Sequence, residues 1–291
     1  MMKRILITGK NSYIGTSFEK WLAKYPDEYT IDSISLRDGS WKDNDFSKYD
    51  VIFHVAGIAH VSTDPKMEEL YYKVNRDLTI EIAKKAKTDG VKQFIFMSSI
   101  IVYGDSSSSK RVIDIDTVPT PSNFYGDSKL QAEEGIKHLE TDSFKIVILR
   151  PPMIYGKGSK GNYPRLANLA KKTPIFPDID NERSMLHIDN LCQFIKLMID
   201  NKESGLFFPQ NSEYVKTSEL VKTISEVHGG KIWMTKIFNP VMRLMFGIGT
   251  VNKVFGNLVY EKTISEYDKS NYRIRNFKES IELTELERVI D

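Results

Sequence analysis

Short apolar runs alternate with amphipathic stretches through the first two thirds of the chain. The apolar runs are RILITG, YTIDSISL, YDVIFHVAG, KQFIFMSS and FKIVILRPP. Helical periodicity separates them, from Thr16 to Tyr25, in KMEELYYKVNRDLTIEIAKKAKTDG and in YGDSKLQAEEGIKHLE. Near-continuous Ile, Val and Phe runs are typical of parallel strands that are covered on both faces. The alternation therefore predicts right-handed βαβ units in a doubly wound α/β sheet.

The pattern loosens after Pro151. Residues 156–183 are rich in Gly, Pro, Asn and Lys, with one helical piece near PRLANLAKK. MLHIDNLCQFIKLMID and GLFFPQN then predict a helix and a late strand that return to the sheet. We therefore predict a sheet domain formed by residues 1–155 and about 186–212, and a smaller, partly helical lobe formed by about 156–185 and 213–291.

Composition and charge narrow the function classes. The chain has 291 residues, 41 of them basic and 39 acidic, and its formal charge of +2 gives no reason to expect nucleic acid or an anionic membrane as a partner. Cys192 is the only cysteine, so an intrachain disulfide is excluded and a reducing compartment is expected. Strand-like sequence begins at Lys3, and no apolar run approaches the roughly 20 residues of a membrane helix. We expect a cytoplasmic protein with no membrane partner, and interpret the apolar stretch 240–260 as lobe core or a subunit contact.

A glycine turn follows the first strand. Gly9 and Gly15 flank a polar turn with Ser12 at its middle position, and a helical stretch comes next. In a dinucleotide site such glycines permit a tight bend and a close approach of the backbone to the pyrophosphate. Serine is small and its hydroxyl could bond a phosphate oxygen, but it is unfavourable if the backbone needs a positive φ. Taken alone, the turn is equally consistent with an ordinary corner between a strand and a helix.

Two later features support a ligand site. Ser98 and Ser99 end an apolar strand, at the sheet edge where ligands bind in such folds. Tyr125 and Lys129 are four residues apart on a predicted helix and share one face. A nearby ammonium favours the phenolate, which would make Tyr125 a proton acceptor, with Ser99 holding the reacting hydroxyl or carbonyl beside it. A lone Tyr-x-x-x-Lys is more often a surface pair; the order of all three features is more specific.

This order resembles the extended short-chain dehydrogenases/reductases, and in particular the NAD-dependent epimerase/dehydratase family that acts on nucleotide-activated sugars. ITGKNSYIG is similar to the family's TGxxGxxG, with Ser12 as the departure. The other similar segments are DVIFHVAGIAHV, VNRDLT, SSIIVYG, YGDSK, LRPPMIYGKG and NERSMLHIDNL, in family order. The similarity covers residues 3 to 215 well and the C-terminal part loosely. It implies a Rossmann-type dinucleotide-binding domain and a substrate-binding lobe.

The resemblance also implies residue roles. Ser99, Tyr125 and Lys129 correspond to the catalytic residues, and Lys129 would also hold the nicotinamide ribose. The implied cofactor-binding residues are Gly9, Asn11, Ser12, Tyr13, Ile14, Gly15, Arg37, Ala56, Gly57, Asn75, Ser98, Tyr125, Lys129 and Pro151. The implied substrate-binding residues are Ser99, Tyr125, Asn162 and Arg183, the last two near the diphosphate of a nucleotide-diphosphate sugar. No metal is expected, because no carboxylate completes a site with His54 and His60.

The choice between NAD and NADP stays open in the sequence. The second strand normally ends in an acid that binds the ribose 2′-hydroxyl when NAD is preferred. Asp38 would take that role one place late, whereas Arg37 would contact the 2′-phosphate of NADP. An exposed turn pair is the alternative for either residue.

Three functions are compatible with these residues. The leading prediction is a UDP-sugar 4-epimerase of the UDP-glucose or UDP-N-acetylhexosamine type. An NADPH-dependent reductase of nucleotide-4-keto-sugars is the alternative, favoured by Arg37 and the short C-terminal lobe. Met153 stands where some galactose epimerases have a phosphate-binding asparagine, which weakens the assignment to UDP-glucose or UDP-galactose. A non-catalytic NAD(P)-binding sensor is the third possibility, disfavoured by the intact Ser99, Tyr125 and Lys129. A homodimer is also compatible with the sequence.

Overall fold

The computed structural model describes residues 2–58, 64–107, 111–244 and 249–286. The strands are β1 Lys3–Thr8, β2 Tyr29–Ile34, β3 Val51–His54, β4 Gln93–Met97, β5 Val112–Ile113, β6 Lys145–Leu149, β7 Met153–Tyr155, β8 Ile175–Pro177, β9 Met185–His187, β10 Gly205–Phe207, β11 Trp233–Thr235 and β12 Val259–Tyr260. The α-helices are α1 Tyr13–Leu22, α2 Glu68–Tyr71, α3 Leu78–Thr88, α4 Phe124–Lys137, α5 Asn162–Ala170, α6 Ile188–Asp200, α7 Thr217–Val227, α8 Asn239–Leu244, α9 Gly249–Phe255 and α10 Phe277–Glu285.

A six-stranded parallel sheet forms the centre of the first of two compact units. Its strand order is β10-β6-β4-β3-β1-β2, and the unit comprises Met1–Gly104, Val118–Pro151 and Leu191–Pro209. Every residue of β3 and of β4 is buried, as expected for strands with helices on both faces. The doubly wound parallel sheet predicted from the hydrophobic pattern is confirmed, and so is the Rossmann-type fold that the resemblance implies.

One face of this sheet packs on α3 and α4. The buried side chains of that core come from four strands, the two helices and the loops between them: Leu6, Leu36, Trp41, Phe46, Tyr49, Ile52, Ile82, Ala83, Ala86, Val91, Phe94, Phe96, Ala132, Ile136, Phe144, Ile146 and Ile148. This core contains no charged side chain, so the polar groups of the site stand at its edge, where the strands end.

The second unit comprises Asp105–Thr117, Pro152–Asn190 and Gln210–Asp291. Three two-stranded parallel pairs, β7 with β9, β8 with β11 and β5 with β12, accompany its helices. It has a core of its own, built mainly from α5, α7 and the strands around them and including Tyr155, Leu166, Phe176, Ile224 and Ile281. Residues 105–117, which the sequence predicts to be in the sheet domain, group with this unit because Val112–Ile113 pairs with Val259–Tyr260.

The first helix begins three residues earlier than its periodicity predicts. It runs from Tyr13 to Leu22 instead of Thr16 to Tyr25, because the Ser12 side chain caps its N-terminus. Among the residues described, no helix is long and apolar enough to cross a membrane.

Candidate active site

The glycine turn between β1 and α1 brings the backbone close to the end of β3. Gly9 has φ +117°, and a Cβ there would lie 2.9 Å from the backbone nitrogen of Ala56. At Gly15 a Cβ would lie 2.7 Å from the Ser12 hydroxyl oxygen. Both positions therefore exclude a side chain, and the turn leads into a helix N-terminus whose first N–H groups lack intrahelical partners.

Ser12 is accommodated in this turn without backbone strain. Its φ is −72°, in the extended region, so the positive-φ cost considered from the sequence does not arise. The left-handed residue of the turn is Asn11, at φ 64°, and asparagine tolerates that region better than most residues. The Ser12 oxygen accepts a hydrogen bond from the Gly15 N–H at 3.1 Å. This bond uses a lone pair, so the hydroxyl proton is available for an anion.

The two residues that bear on cofactor choice stand just beyond β2, and both are exposed. The Asp38 carboxylate accepts hydrogen bonds from the Ser40 N–H at 3.2 Å and the Ser40 hydroxyl at 2.7 Å. These bonds lower the pKa of Asp38 and engage the carboxylate that a ribose would need. Arg37 is held to this turn through its backbone N–H, which donates to the Ser35 hydroxyl oxygen at 3.3 Å.

Asn75 fixes the loop after β3. It is fully buried in a π-helical turn, Tyr72–Asp77, between α2 and α3, a local geometry that is frequent at functional sites. Its side chain accepts from the Ile58 N–H at 2.8 Å and donates to the Ile58 carbonyl at 3.2 Å and to the Ser128 hydroxyl at 3.1 Å. A Cβ at Gly57 would lie 2.9 Å from the Asn75 amide oxygen and 3.1 Å from the Lys129 nitrogen. The structure thus brings Gly57, Asn75 and Lys129 together.

Helix α4 carries Tyr125 and Lys129 against the turn after β4. Asn123 caps this helix by accepting from the Gly126 N–H at 2.9 Å. A Cβ at Gly126 would lie 2.7 Å from the Ile101 carbonyl oxygen, so only glycine lets the helix approach that turn so closely. The approach brings Tyr125 close enough to Ser99 for the serine side chain to lower the pKa of the phenol, and the Ser99 oxygen accepts a hydrogen bond from the Ile101 N–H at 3.3 Å. Serine and tyrosine thus meet as the sequence predicts.

The Lys129 side chain lies against the C-terminal end of β4. It is buried, its ammonium donates to the Met97 carbonyl at 2.9 Å, and it lies 4.8 Å from the centre of the Phe96 ring. Burial lowers its pKa to about 8, against the opposing effect of the Glu133 carboxylate. Burial also raises the pKa of Tyr125 to about 12, opposed by the hydrogen bond from Ser99. Within the protein itself, burial thus has a larger effect on the Tyr125 phenol than the neighbouring side chains have.

Ser98 faces away from Ser99 and into a buried polar network. Its hydroxyl donates to the Glu133 carboxylate, which also receives two N–H groups of Arg150 at 2.5 and 3.0 Å. Arg150 donates further to the Tyr103 hydroxyl at 2.6 Å. The side chains of Glu133 and Arg150 are only 5% and 7% exposed, so breaking the pair would leave an uncompensated charge inside the protein.

Sequence reasoning missed both members of this ion pair. Glu133 lies four residues after Lys129 on α4, the spacing that brings side chains to one helix face. Arg150 belongs to the LRPP segment and precedes Pro151, whose carbonyl accepts from the Ile100 N–H at 2.9 Å. The regular spacing of Tyr125, Lys129 and Glu133 was the available signal. The pair binds the Ser98 hydroxyl through Glu133 and the Tyr103 hydroxyl through Arg150. We therefore infer that Glu133 and Arg150 position the turn that carries Ser98 and Ser99.

His54 is a packed core residue, as the sequence interpretation favoured. It is fully buried, its ring nitrogens lie 2.7 Å from the Thr8 hydroxyl and 3.0 Å from the Thr79 hydroxyl, and it stacks on Phe94 and Phe96. Burial lowers its pKa to about 3. His60 lies outside the described residues. Within the described ranges, no group of three or more His, Cys, Asp or Glu side chains could hold a metal ion.

Asn162 and Arg183 line a common cavity in the second unit. Its volume is about 10 Å³, room for roughly one water. Arg183 is held by backbone hydrogen bonds to Val215 on one side, and its guanidinium donates to the carbonyls of Lys253 at 2.8 Å and Gly256 at 3.3 Å. Among the described residues, no carboxylate lies within ion-pair distance of it. Burial lowers the pKa of Arg183 to about 10, and its positive charge is available to an anion.

The glycine turn fits a dinucleotide. Close backbone approaches at Gly9 and Gly15 and the helix N-terminus of α1 suit a pyrophosphate. The Asn75-fixed loop and buried Lys129 stand at the ends of the next strands in the sheet.

Comparison with known proteins agrees with this arrangement. Residues 5–207 match the NAD dependent epimerase/dehydratase family. A UDP-glucose 4-epimerase from Vibrio cholerae is 32% identical over 262 residues, which are 81% of this chain and 79% of that protein. The N-acetyl-alpha-D-glucosaminyl-diphospho-ditrans,octacis-undecaprenol 4-epimerase of Escherichia coli O157:H7 is 26% identical, over 95% of this chain and 86% of that protein.

Solved structures share the fold. A UDP-N-acetylglucosamine 4-epimerase from Bacillus cereus superposes with a TM-score of 0.76 at 17% identity, over 96% of this chain and 97% of that one. A dTDP-4-dehydrorhamnose reductase from Clostridium acetobutylicum gives a TM-score of 0.72 at 19% identity, over 97% and 98% of the two chains. Epimerases and reductases thus have the same architecture.

Proposed function

Since the chain belongs to the NAD-dependent epimerase/dehydratase family and is an NAD(P)-dependent enzyme that modifies nucleotide sugars, we propose that it inverts the configuration at C4 of a UDP-linked hexose. The observation that carries this proposal is the close packing of α4 at Gly126 on the turn that carries Ser99, which places Tyr125 beside that turn, with Lys129 buried one helical turn further on. A proton can be moved at the Tyr125 oxygen, where a sugar hydroxyl would be held by Ser99.

Each residue has a separate task in this proposal. Ser99 orients the C4 hydroxyl, since its side chain lies close enough to the phenol to affect its pKa. Tyr125 accepts the hydroxyl proton and later returns it, as a general base and acid. Lys129 would hold the nicotinamide ribose and keep positive charge near the phenol. Bound NAD(P) would supply the hydride acceptor and donor for C4.

The phenol pKa of about 12 must fall for proton transfer at neutral pH. Added positive charge near the phenol favours its ionised form. We therefore propose that Tyr125 becomes an effective base when the oxidised cofactor is bound, because its nicotinamide ring would bring positive charge to the phenol.

The diphosphate of the substrate is assigned to Asn162 and Arg183. The Arg183 guanidinium has carbonyl partners but no carboxylate among the described residues, and guanidinium suits a diphosphate. Because the cavity beside them holds only about 10 Å³, it must widen or bind the anion at its mouth.

A reductase that consumes NADPH is the second candidate. The exposed Arg37 and the engagement of Asp38 with Ser40 favour a 2′-phosphate over a free 2′-hydroxyl at the end of β2. A GDP-6-deoxy-D-mannose reductase from Pseudomonas aeruginosa, 22% identical over 78% of this chain, is among the relatives. The non-catalytic alternative is disfavoured by the intact Ser99, Tyr125 and Lys129.

A second question is which group the diphosphate of the substrate carries on the side away from the sugar. The Vibrio cholerae relative is named for UDP-glucose, and the Escherichia coli relative for a sugar diphosphate carried on undecaprenol. Both substrates have a hexose joined to a diphosphate, so Asn162 and Arg183 would serve either. We propose the nucleotide sugar as the first substrate to test and the polyprenyl-linked sugar as the second.

The test separates these reactions by their cofactor demand. Purified protein is incubated with UDP-glucose, UDP-N-acetylglucosamine or N-acetylglucosaminyl-diphospho-undecaprenol, first with NAD and then with NADPH, and products are separated by chromatography. An epimerase yields a mixture of C4 epimers with no net change in absorbance at 340 nm. Tyr125→Phe should lower turnover by about 10² to 10⁴-fold while it keeps cofactor binding. Wild-type turnover in that variant would refute the role of Tyr125.

Net oxidation of NADPH with a 4-keto sugar nucleotide, and no epimer formation from any of the three substrates, would replace the epimerase by the reductase. No conversion with any substrate, in protein that still binds cofactor, would favour the sensor.

A further inference from the structure

An apolar surface stands exposed on the second unit, and we call it the Trp233 surface. Its members are Ile175, Trp233, Met234, Thr235, Ile237 and Phe238, which together line an open groove of about 260 Å³. Trp233 is 80% exposed and Ile237 is 81% exposed. Contiguous apolar patches of this kind on a protein surface usually mark an interaction site.

The two-stranded ribbon of β8 and β11 explains why these side chains face outward. Trp233 pairs with Ile175 and Met234 with Phe176 in a parallel register. Successive side chains of a strand point to opposite faces. Phe176 on β8 and Ile232, which directly precedes Trp233, are buried in the core of the unit. Ile175 and Trp233 are exposed. The ribbon is therefore apolar on both faces, and the described residues of this chain cover only one of them.

The sequence around this surface is positively charged. Residues 227–260 contain four basic residues and no acidic one, although the whole chain has a formal charge of only +2. Lys231 and Lys236 are exposed on either side of Trp233. The carboxylate near Lys236 is Asp178, and Lys216 already binds it at 2.9 Å. An anionic partner would thus meet Lys231 and Lys236 beside an apolar centre.

We propose that the Trp233 surface binds the headgroup region of an anionic lipid bilayer, with the protein lying on the membrane. Trp and Phe prefer the boundary between hydrocarbon and water, and Lys attracts anionic headgroups. A second copy of the chain fits less well, because a two-fold contact through this surface would bring its lysines near their own equivalents.

This inference goes beyond the proposed reaction and differs from the expectation of no membrane partner. That expectation rested on net charge and on the lack of a long apolar run. Neither property can reveal an apolar surface that is formed jointly by two short strands and a turn.

The experiment uses the full chain and vesicles of phosphatidylcholine with 30% phosphatidylglycerol, against vesicles of phosphatidylcholine alone. Binding is measured by flotation and by tryptophan emission. Trp21 and Trp41 are 7% and 4% exposed, so a blue shift on binding reports Trp233. We expect binding to the anionic vesicles that weakens with salt. Lys231→Gln with Lys236→Gln should lower the affinity about tenfold or more.

Trp233→Ser with Ile237→Ser should abolish flotation, whereas Ile115→Ser, which removes an exposed apolar side chain elsewhere (69% exposed), should not. Unchanged circular dichroism and cofactor binding establish that each variant is folded. Absence of wild-type flotation would overturn the proposal, and so would equal flotation of the Trp233 variant. If light scattering instead finds a dimer that the Trp233 variant dissociates, the surface is a subunit contact. These outcomes do not depend on which sugar is converted.

Discussion

Burial has a greater effect than neighbouring charge on the ionisation of the key side chains. Tyr125, Lys129 and His54 all lie in or beside the sheet core, and in each case burial is the largest cause of the pKa shift. Burial therefore shifts each of these groups toward its neutral form, relative to the same side chain in water. The Ser99 and Glu133 side chains act against that effect, on Tyr125 and Lys129 respectively. A functional ionisation here depends on groups brought in by binding.

His54 is expected to make the fold sensitive to acid. Its pKa is about 3 in the folded chain and about 6.5 when unfolded, so between these values the unfolded chain binds more protons. The free energy of unfolding should therefore fall as the pH falls through this range, by about 2 kcal/mol between pH 7 and pH 5. Denaturant unfolding at both pH values measures it.

In His54→Gln this component of the pH dependence should disappear, even though the loss of ring packing lowers stability at pH 7. His138→Gln, at an exposed position, is the matched control and should keep the wild-type slope. An equal slope in wild type and His54→Gln would contradict the assignment.

At the scale of elements, two close approaches build the site. The turn after β1 meets the end of β3 at Gly9, and α4 meets the turn after β4 at Gly126. Each approach needs a residue without a side chain, and each brings together groups that are far apart in sequence. The ends of the strands therefore form one edge, where the residues proposed for cofactor binding and catalysis lie.

Gly126→Ala should lower turnover by about 10- to 100-fold. Its new methyl group would lie 2.7 Å from the Ile101 carbonyl oxygen, so α4 must move away from Ser99, and misplacement of about 1 Å can cost that much. Gly135→Ala on the same helix is the control. Its methyl group would lie 2.3 Å from Cδ1 and 2.8 Å from Cγ1 of Ile80, a side chain that can turn away as a backbone carbonyl cannot, and alanine favours a helix by about 1 kcal/mol over glycine. Similar kinetics for the two variants would remove this role from Gly126.

Arg37→Ala should weaken NADP(H) binding about tenfold to a hundredfold and leave NAD(H) binding almost unchanged. The reason is a charge-assisted hydrogen bond to the 2′-phosphate, which NAD lacks. Isothermal titration with both cofactors measures the difference, and Arg37→Lys should fall between wild type and the alanine variant. Equal losses for the two cofactors, or no loss, would make Arg37 a solvated turn residue and favour an NAD-dependent epimerase.

At the scale of the whole molecule, the chain is divided between two separate cores. The residues assigned to the cofactor lie in the first unit, whereas Asn162, Arg183 and the Trp233 surface lie in the second. The second unit is assembled from three segments that are distant in sequence. Loss of one core should therefore leave the chemistry assigned to the other unit measurable.

Ile281→Ala tests this independence. Ile281 is fully buried in the core of the second unit, and truncation of a buried isoleucine costs about 2–5 kcal/mol. We expect hydrogen exchange to increase in α5, α7 and α10, while NAD(P) binding is retained. Leu286→Ala, at a 42% exposed position, should leave exchange unchanged. Loss of cofactor binding in Ile281→Ala would show that the two cores unfold together.

Local sequence alone determined that the sheet is parallel and that Tyr125 and Lys129 share one face of a helix. Strands such as β3 and β4 are covered on both faces, so their continuous apolar runs identify them without knowledge of their neighbours. Tyr125 and Lys129 are related by helix geometry, which depends only on their spacing. The glycine turn is likewise a short-range feature. The motif did not predict, however, that Asn11 and not Ser12 would have the positive φ in this turn.

Only the tertiary structure decided the properties that arise from contacts between distant segments. It directed Ser98 to Glu133 and Arg150, engaged Asp38 with Ser40, and raised rather than lowered the pKa of Tyr125. It also paired β5 with β12 and exposed Trp233 on the outer face of a ribbon. Desolvation, side-chain direction and strand partners depend on which atoms surround a residue, and a linear pattern does not contain that information.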